Sequence, residues 1–339
     1  MKSGIINIYK EKGFTSFDVV AKLRGILHIK KIGHTGTLDP EAEGVLPICI
    51  GKATKACSML LDTDKKYLAT MLLGKATDTY DVYGNVTEKR EVNTTPEEVE
   101  AVIQSFIGEI DQVPPMYSAI KINGKKLYEL ARAGKVVDRP SRRVTIYNEE
   151  THSIDIPEVQ FSVECSKGTY IRSLCNDIGI KLGCLACMKD LVRTKAGIFK
   201  IEDSHKLSEI EKLVSQGKID DVIIPVDKIF EPCHKWCVLD EYKKLCINGS
   251  KLPSEAFVEL KINQINMPKN NNNASNCTNY ASNCTNYTSN DTNICVAYYE
   301  NDVESNSLNR VYLEDGTFVG LYRKDGETFI PEKMFYENI

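Results

Sequence analysis

One short segment of this sequence, GHTGTLDPEAEGVLPICIG at residues 33–51, holds the side chain best suited to nucleophilic or base chemistry, the carboxylate of Asp39. Turn-forming residues surround Asp39, and an apolar run typical of a strand follows it. A carboxylate enclosed in a protein loses its hydration, and an arginine is the usual counterweight. The candidate is Arg172, in SKGTYIRSL at the start of a predicted helix. Spacing alone leaves open an ordinary turn aspartate before Pro40 and a surface arginine.

Three other kinds of site do not fit the motifs near this loop. The Walker phosphate-binding pattern fails because the spacing from Gly44 to Gly51-Lys52 is too long and alanine follows the lysine. A zinc nucleobase deaminase requires a glutamate two residues after its histidine, and glycine stands there after His34. The segment DTYDVYG, which begins at Asp78, lacks the alternating oxygen ligands of a calcium loop.

The 12 cysteines are scattered through a chain that shows no export signal, which favours free buried thiols over disulfides. Two pairs have spacings that zinc sites use, Cys184 with Cys187 and Cys233 with Cys237. The segment between the pairs is much longer than the ~12 to 20 residues that usually separate two zinc knuckles. In addition, Cys187 lies in a predicted helical stretch. The sequence therefore predicts no metal site.

The chain is predicted to interleave strands and helices without the regular spacing of βαβ units, which favours an α+β fold with a mixed sheet. Ser16 is the predicted N-cap of the first helix, and Thr95 with Glu98 forms the predicted capping box of another. A third helix is predicted to begin near Thr169. After about Pro232 the pattern becomes that of a small β-rich domain with a meander and Asp-Gly turns.

Basic side chains are concentrated in one segment of a chain whose formal net charge is −4. Residues 120–143 contain 8 basic and 2 acidic side chains, a local charge of +6 that suits contact with phosphates. A solvated helix face is the commoner explanation of a single charge run. The charge pattern alone leaves these two interpretations open.

Five motifs carry a resemblance to a known family: GHTGTLDPEAEGVLPICIGKATK, DKKYLATMLLGKATDTYDVYG, PPMYSAIKINGKKLYELARAG, CSKGTYIRSL and LVRTKAGIF. Their order and spacing, from about Gly4 to Phe230, resemble the bacterial tRNA pseudouridine-55 synthases, the TruB family. The resemblance implies a catalytic domain at residues 1–231, built on a central mixed, mainly antiparallel β-sheet flanked by helices. Residues 232–339 resemble a small β-rich PUA-like RNA-binding domain. An Asn/Ser/Thr-rich insertion at about 266–293, whose composition predicts disorder, interrupts it.

The resemblance also implies a reaction and the roles of individual residues. The family isomerises uridine at position 55 in the T-loop of tRNA: the base is flipped out, its N-glycosidic bond breaks, and C5 is joined to the ribose. Asp39 matches the catalytic aspartate, which either attacks C1′ or removes a proton from C2′. Tyr67 matches a tyrosine that stacks on the uracil and is suited to handling the C5 proton. Arg172 matches the arginine that pairs with the aspartate.

Further residues are implied in substrate binding. His34 matches a histidine associated with flipped T-loop bases, and Leu191 and Arg193 match the family motif in LVRTKAGIF. Lys10 matches the lysine of an N-terminal KPxG motif, although Glu11 stands where the family has proline. The predicted phosphate contacts come from the basic segment: Lys125, Lys126, Arg142 and Arg143. Because residues 232–339 carry 10 basic against 14 acidic side chains, the basic segment is expected to supply more of the electrostatic affinity than the tail.

The implied reaction needs no cofactor, nucleotide or metal. The expected partner is the T-stem-loop of tRNA, and the chain is expected to be a cytoplasmic monomer without membrane association or an obligate protein partner. The main alternative is a non-catalytic tRNA-binding or tRNA-folding protein on the same scaffold. A metal-dependent hydrolase or deaminase is a third hypothesis, which predicts zinc on the purified protein.

Overall fold

A computed structural model describes residues 3–122, 124–260 and 307–337, together with the backbone of Thr288–Ser289 and Thr292–Asn293. The chain divides into two compact units, residues 1–223 and 224–339. The predicted insertion at about 266–293 lies outside the described residues, apart from the backbone of those two short strands. Within the described ranges, no helix is long and apolar enough to cross a membrane.

The first unit interleaves strands and helices. Its strands are β1 (Gly4–Lys10), β2 (Ile32–His34), β3 (Glu43–Ile50), β4 (Lys65–Leu73), β5 (Lys75–Thr77), β6 (Val86–Lys89), β7 (Gly108–Gln112), β8 (Lys121–Ile122), β9 (Lys125–Lys126), β10 (Arg142–Asp155), β11 (Glu158–Cys165), β12 (Ala186–Ala196) and β13 (Phe199–Lys200). Its helices are α1 (Ser16–Leu27), α2 (Cys57–Leu61), α3 (Pro96–Gln104), α4 (Leu127–Arg132), α5 (Ile171–Lys181) and α6 (Leu207–Ser215).

The central sheet has the strand order β1–β3–β12–β4–β11–β10–β7, with β2 paired to β3 and β13 paired to β12. The neighbours run antiparallel except β12 and β3, which pair in parallel. That parallel pairing brings the strand after the Asp39 loop against the strand that carries Leu191. The predicted α+β fold with a mixed, mainly antiparallel sheet is confirmed.

Helix α1 begins with a capping box one position before the predicted cap. The Oγ1 atom of Thr15 accepts a hydrogen bond from Asp18 N–H at 3.0 Å, and Asp18 Oδ2 accepts one from Thr15 N–H at 2.8 Å. Ser16 is the first helical residue, and its buried hydroxyl accepts a bond from Leu38 N–H at 2.9 Å. The side chain predicted to cap α1 therefore ties this helix to the loop that carries Asp39.

Of the other helices predicted from the sequence, two are confirmed and one is wrong. Thr95 caps α3, with Glu98 closing the capping box as predicted. Helix α5 begins at Ile171, shortly after the predicted start. Cys187 was predicted to be helical, but it lies on β12, where it pairs with Leu72 of β4. Short apolar runs do not distinguish a buried strand from a helix, which explains the wrong assignment.

Two apolar cores fix the positions of the elements around the Asp39 loop. One core joins β4, β11 and β12 to α3 and α5, and the other joins β1 and β3 to α1 and α6. Alternate residues of β4 are buried, so Lys65, Tyr67 and Ala69 point to the same face of the sheet. Lys65 and Tyr67 are therefore both buried on this face of the sheet.

The second unit is β-rich, as predicted. Its strands are β14 (His234–Val238), β15 (Leu252–Pro253), β16 (Phe257–Glu259), β17 (Thr288–Ser289), β18 (Thr292–Asn293), β19 (Leu308–Tyr312), β20 (Phe318–Asp325) and β21 (Thr328–Met334), and its helix is α7 (Lys243–Ile247). One sheet has the order β15–β21–β20–β19–β14–β16, which includes the predicted meander β19–β20–β21. Aromatic rings fill its core, with the ring centroids of Phe257 and Phe329 separated by 4.4 Å.

Candidate active site

A cavity of about 330 Å³ has Asp39 in its wall. The lining comes from segments that are distant in the sequence: the loop between β2 and β3, strand β4, the residues before β8, the start of α5 and strand β12. Four residues selected from the sequence lie in this lining, namely Asp39, Tyr67, Arg172 and Leu191. The fold therefore brings together a carboxylate, a phenol, a guanidinium and an apolar side chain around one space.

Arg172 holds Asp39 through two parallel contacts. Its Nε lies 2.8 Å from Asp39 Oδ2, and its Nη2 donates to Asp39 Oδ1 at 3.1 Å. The Arg172 side chain is 6% exposed, whereas that of Asp39 is 39% exposed. A bidentate arginine fixes the plane of a carboxylate as well as compensating its charge. Asp39 is thus oriented by a buried partner while it remains accessible from the cavity.

The rest of the Arg172 guanidinium is also saturated. It donates to the backbone carbonyls of Thr79 at 3.0 Å and Tyr117 at 2.8 Å, and its Nη1 lies 3.7 Å from Asp81 Oδ2. Burial raises the pKa of Asp39 above its ordinary value, Arg172 opposes this rise, and the negative charge of Asp81 adds to it. The sequence argument predicted the arginine but gave no role to Asp81, although its segment was considered as a calcium loop and quoted as part of a family motif.

Lys10 binds the backbone of the Asp39 loop. Its Nζ donates to the carbonyls of Ala42 at 2.6 Å, Pro40 at 2.9 Å and Glu11 at 3.1 Å. The residue is 0% exposed, and burial lowers the pKa of its ammonium group to about 8. The prediction that Lys10 binds substrate does not fit this position, because a fully buried ammonium with carbonyl partners supports the loop and does not reach RNA.

Arg193 is a second buried cation that holds this region. Its Nε donates to Val45 O at 2.7 Å and its Nη2 to Gly36 O at 3.2 Å, on the two sides of Asp39 in the chain. Gly44 makes the close approach of β3 to β12 possible, since it has φ +100° and a Cβ there would lie 2.3 Å from Arg193 O. Arg193 also lines the cavity, although the sequence argument gave it no role of its own.

Tyr67 and Leu191 form the part of the lining that suits a planar base. Tyr67 on β4 pairs directly with Arg193 on β12, and Leu191 pairs with Ala69. Both Tyr67 and Leu191 are buried except where they meet the cavity. Burial raises the pKa of the Tyr67 phenol, while the nearby Arg193 opposes that rise. The phenol therefore keeps its proton at neutral pH.

Lys65 is a lining residue that the sequence argument missed. It lies two positions before Tyr67 on the same face of β4, and its Nζ donates to Leu61 O at 2.8 Å and to Thr63 O. Burial lowers the pKa of its ammonium group to about 8. The available signal was the strand pattern, since a lysine in phase with apolar core residues predicts a buried cation.

His34 lies at the end of β2 and is not among the residues that line the cavity. It pairs with Ile48 of β3, and its Nδ1 is buried without a hydrogen-bond partner in the part of the chain that the structure describes. Burial, helped by the positive charge of Arg193, lowers the pKa of His34, so its ring is neutral at pH 7. A neutral, half-buried ring is compatible with the predicted contact to a flipped base, which stays a prediction.

The predicted phosphate contacts occupy different surroundings. Lys125 and Arg142 are exposed, and Lys126 Nζ donates to Tyr128 Oη at 3.1 Å. Arg143 lies 3.6 Å from Glu109 and 3.8 Å from Asp111, two carboxylates of the neighbouring strand β7. The charge count along residues 120–143 did not include these acids because sheet pairing, not sequence, brings them close.

The cysteines at described positions are all free thiols. Cys184 and Cys187 are buried in the first unit, and Cys233 and Cys237 are half-buried in the second. Within the described ranges, no three or more histidine, cysteine, aspartate or glutamate side chains are grouped so as to hold a metal ion.

Two family models match the chain. Residues 24–171 match the TruB family pseudouridylate synthase N-terminal domain, and residues 172–231 match the tRNA pseudouridylate synthase B C-terminal domain. A tRNA pseudouridine synthase B from Lachnoclostridium phytofermentans is 53% identical over 281 residues, which cover 79% of this chain and 90% of that protein. The enzyme of the same name from Clostridium perfringens strain SM101 is 40% identical over 337 residues, 99% of both chains.

Solved structures show the same fold. A chain in the crystal structure of a Cbf5-Nop10-Gar1 complex superimposes with a TM-score of 0.67 and 26% identity, covering 98% of this chain and 85% of that one. A chain of an H/ACA RNP bound to a substrate RNA containing 2′-deoxyuridine gives the same TM-score of 0.67 at 24% identity, covering 98% of this chain and 85% of its own. Together with the near-complete match to the clostridial relative, these findings show that the chain belongs to the TruB family and is an enzyme that forms pseudouridine in tRNA.

Proposed function

We propose that this enzyme isomerises the uridine at position 55 in the T-loop of tRNA and that Asp39 assists the cleavage of its N-glycosidic bond. The observation that carries this proposal is the bidentate Asp39–Arg172 pair in the wall of a cavity that also contains Tyr67. The cavity of about 330 Å³ lies at the lower end of the ~300 to 1,000 Å³ typical of ligand pockets. It suits one flipped nucleotide and not a stacked helix.

Flipping the base requires compensation for lost stacking and pairing. Extruding a nucleotide costs on the order of a few kcal/mol, least in a loop whose bases are partly unpaired. Tyr67 offers an aromatic face and Leu191 an aliphatic contact in the cavity wall. A single-stranded loop that presents one uridine therefore matches this cavity better than a base-paired stem, which favours a tRNA loop as the substrate.

Asp39 has two possible actions at the ribose. As a nucleophile its carboxylate attacks C1′ while the C1′–N1 bond breaks, and the Asp39–C1′ ester bond breaks in turn when C5 bonds to C1′. As a base it removes a proton from C2′ while the C1′–N1 bond breaks, and the proton returns to C2′ when C5 bonds to C1′. In both cases the uracil leaves as an anion, turns, and forms a C5–C1′ bond. The proton at C5 is then lost and N1 is protonated, so substrate and product have the same atoms. This balance needs no oxidant, nucleotide or metal, and Arg172 keeps the Asp39 carboxylate in a fixed orientation throughout.

Tyr67 is proposed to stack on the uracil and to handle the C5 proton. Its phenol is protonated at neutral pH because burial raises its pKa, and Arg193 beside it favours the ionised form that would accept a proton. A positioned acid or base typically contributes about 10²- to 10⁴-fold to a rate. Tyr67→Phe should therefore keep tRNA binding while the single-turnover rate falls by about 10²-fold or more.

The wider assignments are also proposals. Residues 1–231 form the catalytic domain and residues 232–339 a PUA-like RNA-binding domain, although the second compact unit of the structure begins at residue 224. The chain acts in the cytoplasm as a monomer without an obligate protein partner. His34 contacts a flipped T-loop base, and Lys125 and Arg142 contact the tRNA backbone.

The test uses an unmodified tRNA transcript and purified enzyme, with EDTA present and no added nucleotide. Pseudouridine is mapped by sequence position for the wild type, for Asp39→Asn, and for Asp240→Asn as a matched exposed control. We expect modification at the T-loop uridine by the wild type and by Asp240→Asn, and none by Asp39→Asn. Asp240 suits the control because its side chain is 75% exposed and forms a long ion pair with Lys243, at 3.8 Å.

Each other outcome has a distinct meaning. Modification at a different tRNA position would refute the T-loop assignment and leave the enzyme class intact. Full activity of Asp39→Asn would remove the carboxylate from the mechanism. A wild type that binds tRNA and modifies nothing would favour the tRNA-folding alternative.

A further inference from the structure

A basic surface lies at the C-terminal end of α1, outside the segment singled out from the sequence. Residues 19–38 contain Lys22, Arg24, Lys30 and Lys31 and no acidic residue. Arg24, Lys30 and Lys31 are exposed, and within the described chain none of them forms an ion pair or hydrogen bond through its cationic group. This differs from residues 120–143, where Arg143 is flanked by the carboxylates of Glu109 and Asp111.

Two of these side chains, Arg24 and Lys30, line a cavity in the surface. Arg24, His28, Ile29 and Lys30 line it, so two cations and an imidazole face one space with a single apolar residue. His28 has φ +54°, which ends α1 and turns the chain so that Lys30 lies beside the last turn of the helix. The local fold thus groups donors that suit a phosphate oxygen.

The helix dipole does not account for all of these cations. A basic residue in the last turn of a helix stabilises it, and Arg24 holds that position in α1. The dipole effect falls off beyond the last turn, so it does not explain Lys30 and Lys31, which follow the helix end at Leu27. Exposed, unpaired cations beyond a helix end are available to an external polyanion.

The chain connects this surface directly to the active site. Lys31 is followed by β2 and then by the Asp39 loop, and its carbonyl accepts a hydrogen bond from Gly51 N–H at 2.9 Å, which fixes its position on the sheet. Asp39 lies eight positions after Lys31 in the sequence, so their α-carbons lie within about 29 Å of each other. A nucleic-acid arm whose loop enters the cavity presents many phosphates within such a distance.

We propose that Arg24, Lys30 and Lys31 form a phosphate-binding surface for the sugar–phosphate backbone of the tRNA arm whose loop enters the Asp39 cavity. This inference rests on the proposed function for the identity of the RNA. The surface supplies affinity and register without reading bases, since phosphate contacts carry no sequence information. Chemistry remains in the separate cavity that contains Asp39.

The test compares two triple variants of the full chain, Arg24→Gln/Lys30→Gln/Lys31→Gln and Lys89→Gln/Lys212→Gln/Lys218→Gln. The second set removes the same charge from exposed lysines that have acidic neighbours in the sequence. The Kd for unmodified tRNA is measured over a series of KCl concentrations. We expect the first variant to reduce the magnitude of the negative slope of log K against log salt by about 3. Its Kd should rise about tenfold or more at moderate salt. The second should keep the wild-type slope.

Two outcomes would overturn the proposal. Equal slopes for both triple variants would show that these cations have no special part in RNA binding. The conservative variant Arg24→Lys/Lys30→Arg/Lys31→Arg keeps the three charges. If its salt slope is reduced as much as that of the glutamine variant, charge is not the cause. Thermal melting of each variant checks that the fold is intact. Failure of the proposed function would appear in a separate measurement: the wild-type enzyme would form no pseudouridine at the T-loop uridine, whatever the salt dependence of tRNA binding.

Discussion

The Asp39 loop and the exposed basic surfaces use the same residue types in opposite ways. Around the loop, Lys10, Arg172 and Arg193 are buried, and their donors bind carbonyls or carboxylates of the protein itself. On the exposed surfaces, Lys125 and Lys30 are accessible to solvent, and Arg24 is exposed with its guanidinium carbon 6.0 Å from the centroid of the Phe17 ring. Buried cations here hold the reactive loop in place, whereas exposed ones are free to meet RNA.

The charge of a residue therefore does not define its role in this enzyme. Lys10 has the same side chain as the exposed lysines, and it was predicted to bind substrate because it matches the lysine of the family's KPxG motif. Its partners show that it stabilises the turn around Pro40 and Ala42. Removing a buried cation should therefore affect stability and rate together, whereas removing an exposed one should affect binding and its salt dependence.

The largest effect is expected for Arg172→Met. The change leaves Asp39 and Asp81 without their shared cation and leaves the carbonyls of Thr79 and Tyr117 without a donor. Breaking a buried ion pair by removing one partner costs about 3–5 kcal/mol, so the free energy of unfolding in urea should fall by that amount. The single-turnover rate should fall by about 10²- to 10³-fold or more, because the carboxylate loses its orientation.

Arg172→Lys separates charge from geometry at this site. Lysine keeps the positive charge but does not reproduce the planar fork that contacts both oxygens of Asp39. We expect it to recover part of the stability and little of the rate. A lysine variant with the wild-type rate would show that the bidentate geometry is unimportant.

A smaller effect is expected for Lys10→Met, with Lys12→Met as its control. Lys10 donates to three backbone carbonyls, of which that of Pro40 also accepts from Gly13 N–H at 3.0 Å. The change removes the lysine donor from Ala42 O and Glu11 O, and leaving a buried acceptor unpaired costs about 1–3 kcal/mol in the free energy of unfolding. The rate should fall about tenfold because the Asp39 loop loses support. Lys12 forms an exposed pair with Asp190 at 2.5 Å, which contributes about 0–1 kcal/mol. Equal losses in the two variants would contradict the supporting role of Lys10.

The pH dependence of the rate should report the environment of Asp39. Burial raises its pKa, and both proposed actions need the carboxylate form, so the rate should fall on acidification at a higher pH than an ordinary aspartate would give. The negative charge of Asp81 contributes to the raised value. Asp81→Asn removes that charge, which lowers the pKa of Asp39, so the acid limb of the normalised profile should move to lower pH. A shift to higher pH would contradict this electrostatic assignment.

Much of the fold followed from local patterns, and the errors have physical causes. The capping box at Thr95 and Glu98 was recognisable because side chain and backbone partners lie three residues apart. The helix predicted around Cys187 was wrong because Ala186, Cys187 and Met188 of β12 are all buried, which removes the alternation that marks a strand. Ser16 was given a capping role because its partner Leu38 is 22 residues away and invisible to local rules.

The site could be predicted only as far as its residues belong to motifs. Asp39 and Arg172 were candidates from their residue types, the family resemblance gave roles to them and to Tyr67, and all three line one cavity. Asp81 and Lys65 were missed because their importance comes from long-range packing against Arg172 and along the cavity. Roles that depend on which charge is buried cannot be read from one sequence without its fold.

The smallest effect is expected for the exposed basic side chains of residues 120–143. Replacing Lys125, Lys126, Arg142 and Arg143 by glutamine together should flatten the salt dependence of tRNA binding, and an unchanged slope would refute a phosphate-contact role. The four side chains are expected to contribute unequally to the salt slope, because their surroundings differ. Arg142 is exposed, and its positive charge opposes the rise in the pKa of Tyr170, a residue that lines the cavity. Arg142→Gln should reduce the magnitude of the slope by about 1.

Arg143→Gln provides the matched comparison, because the two arginines are adjacent in the chain and both are exposed. Arg143 has Glu109 at 3.6 Å and Asp111 at 3.8 Å, so its charge is already partly neutralised before RNA arrives. A phosphate must compete with these carboxylates, and the slope should change by clearly less than for Arg142→Gln. If instead Arg143→Gln gives the larger change, RNA binding breaks the pairs with β7, and ion pairing in the free protein does not decide which exposed cations contact tRNA.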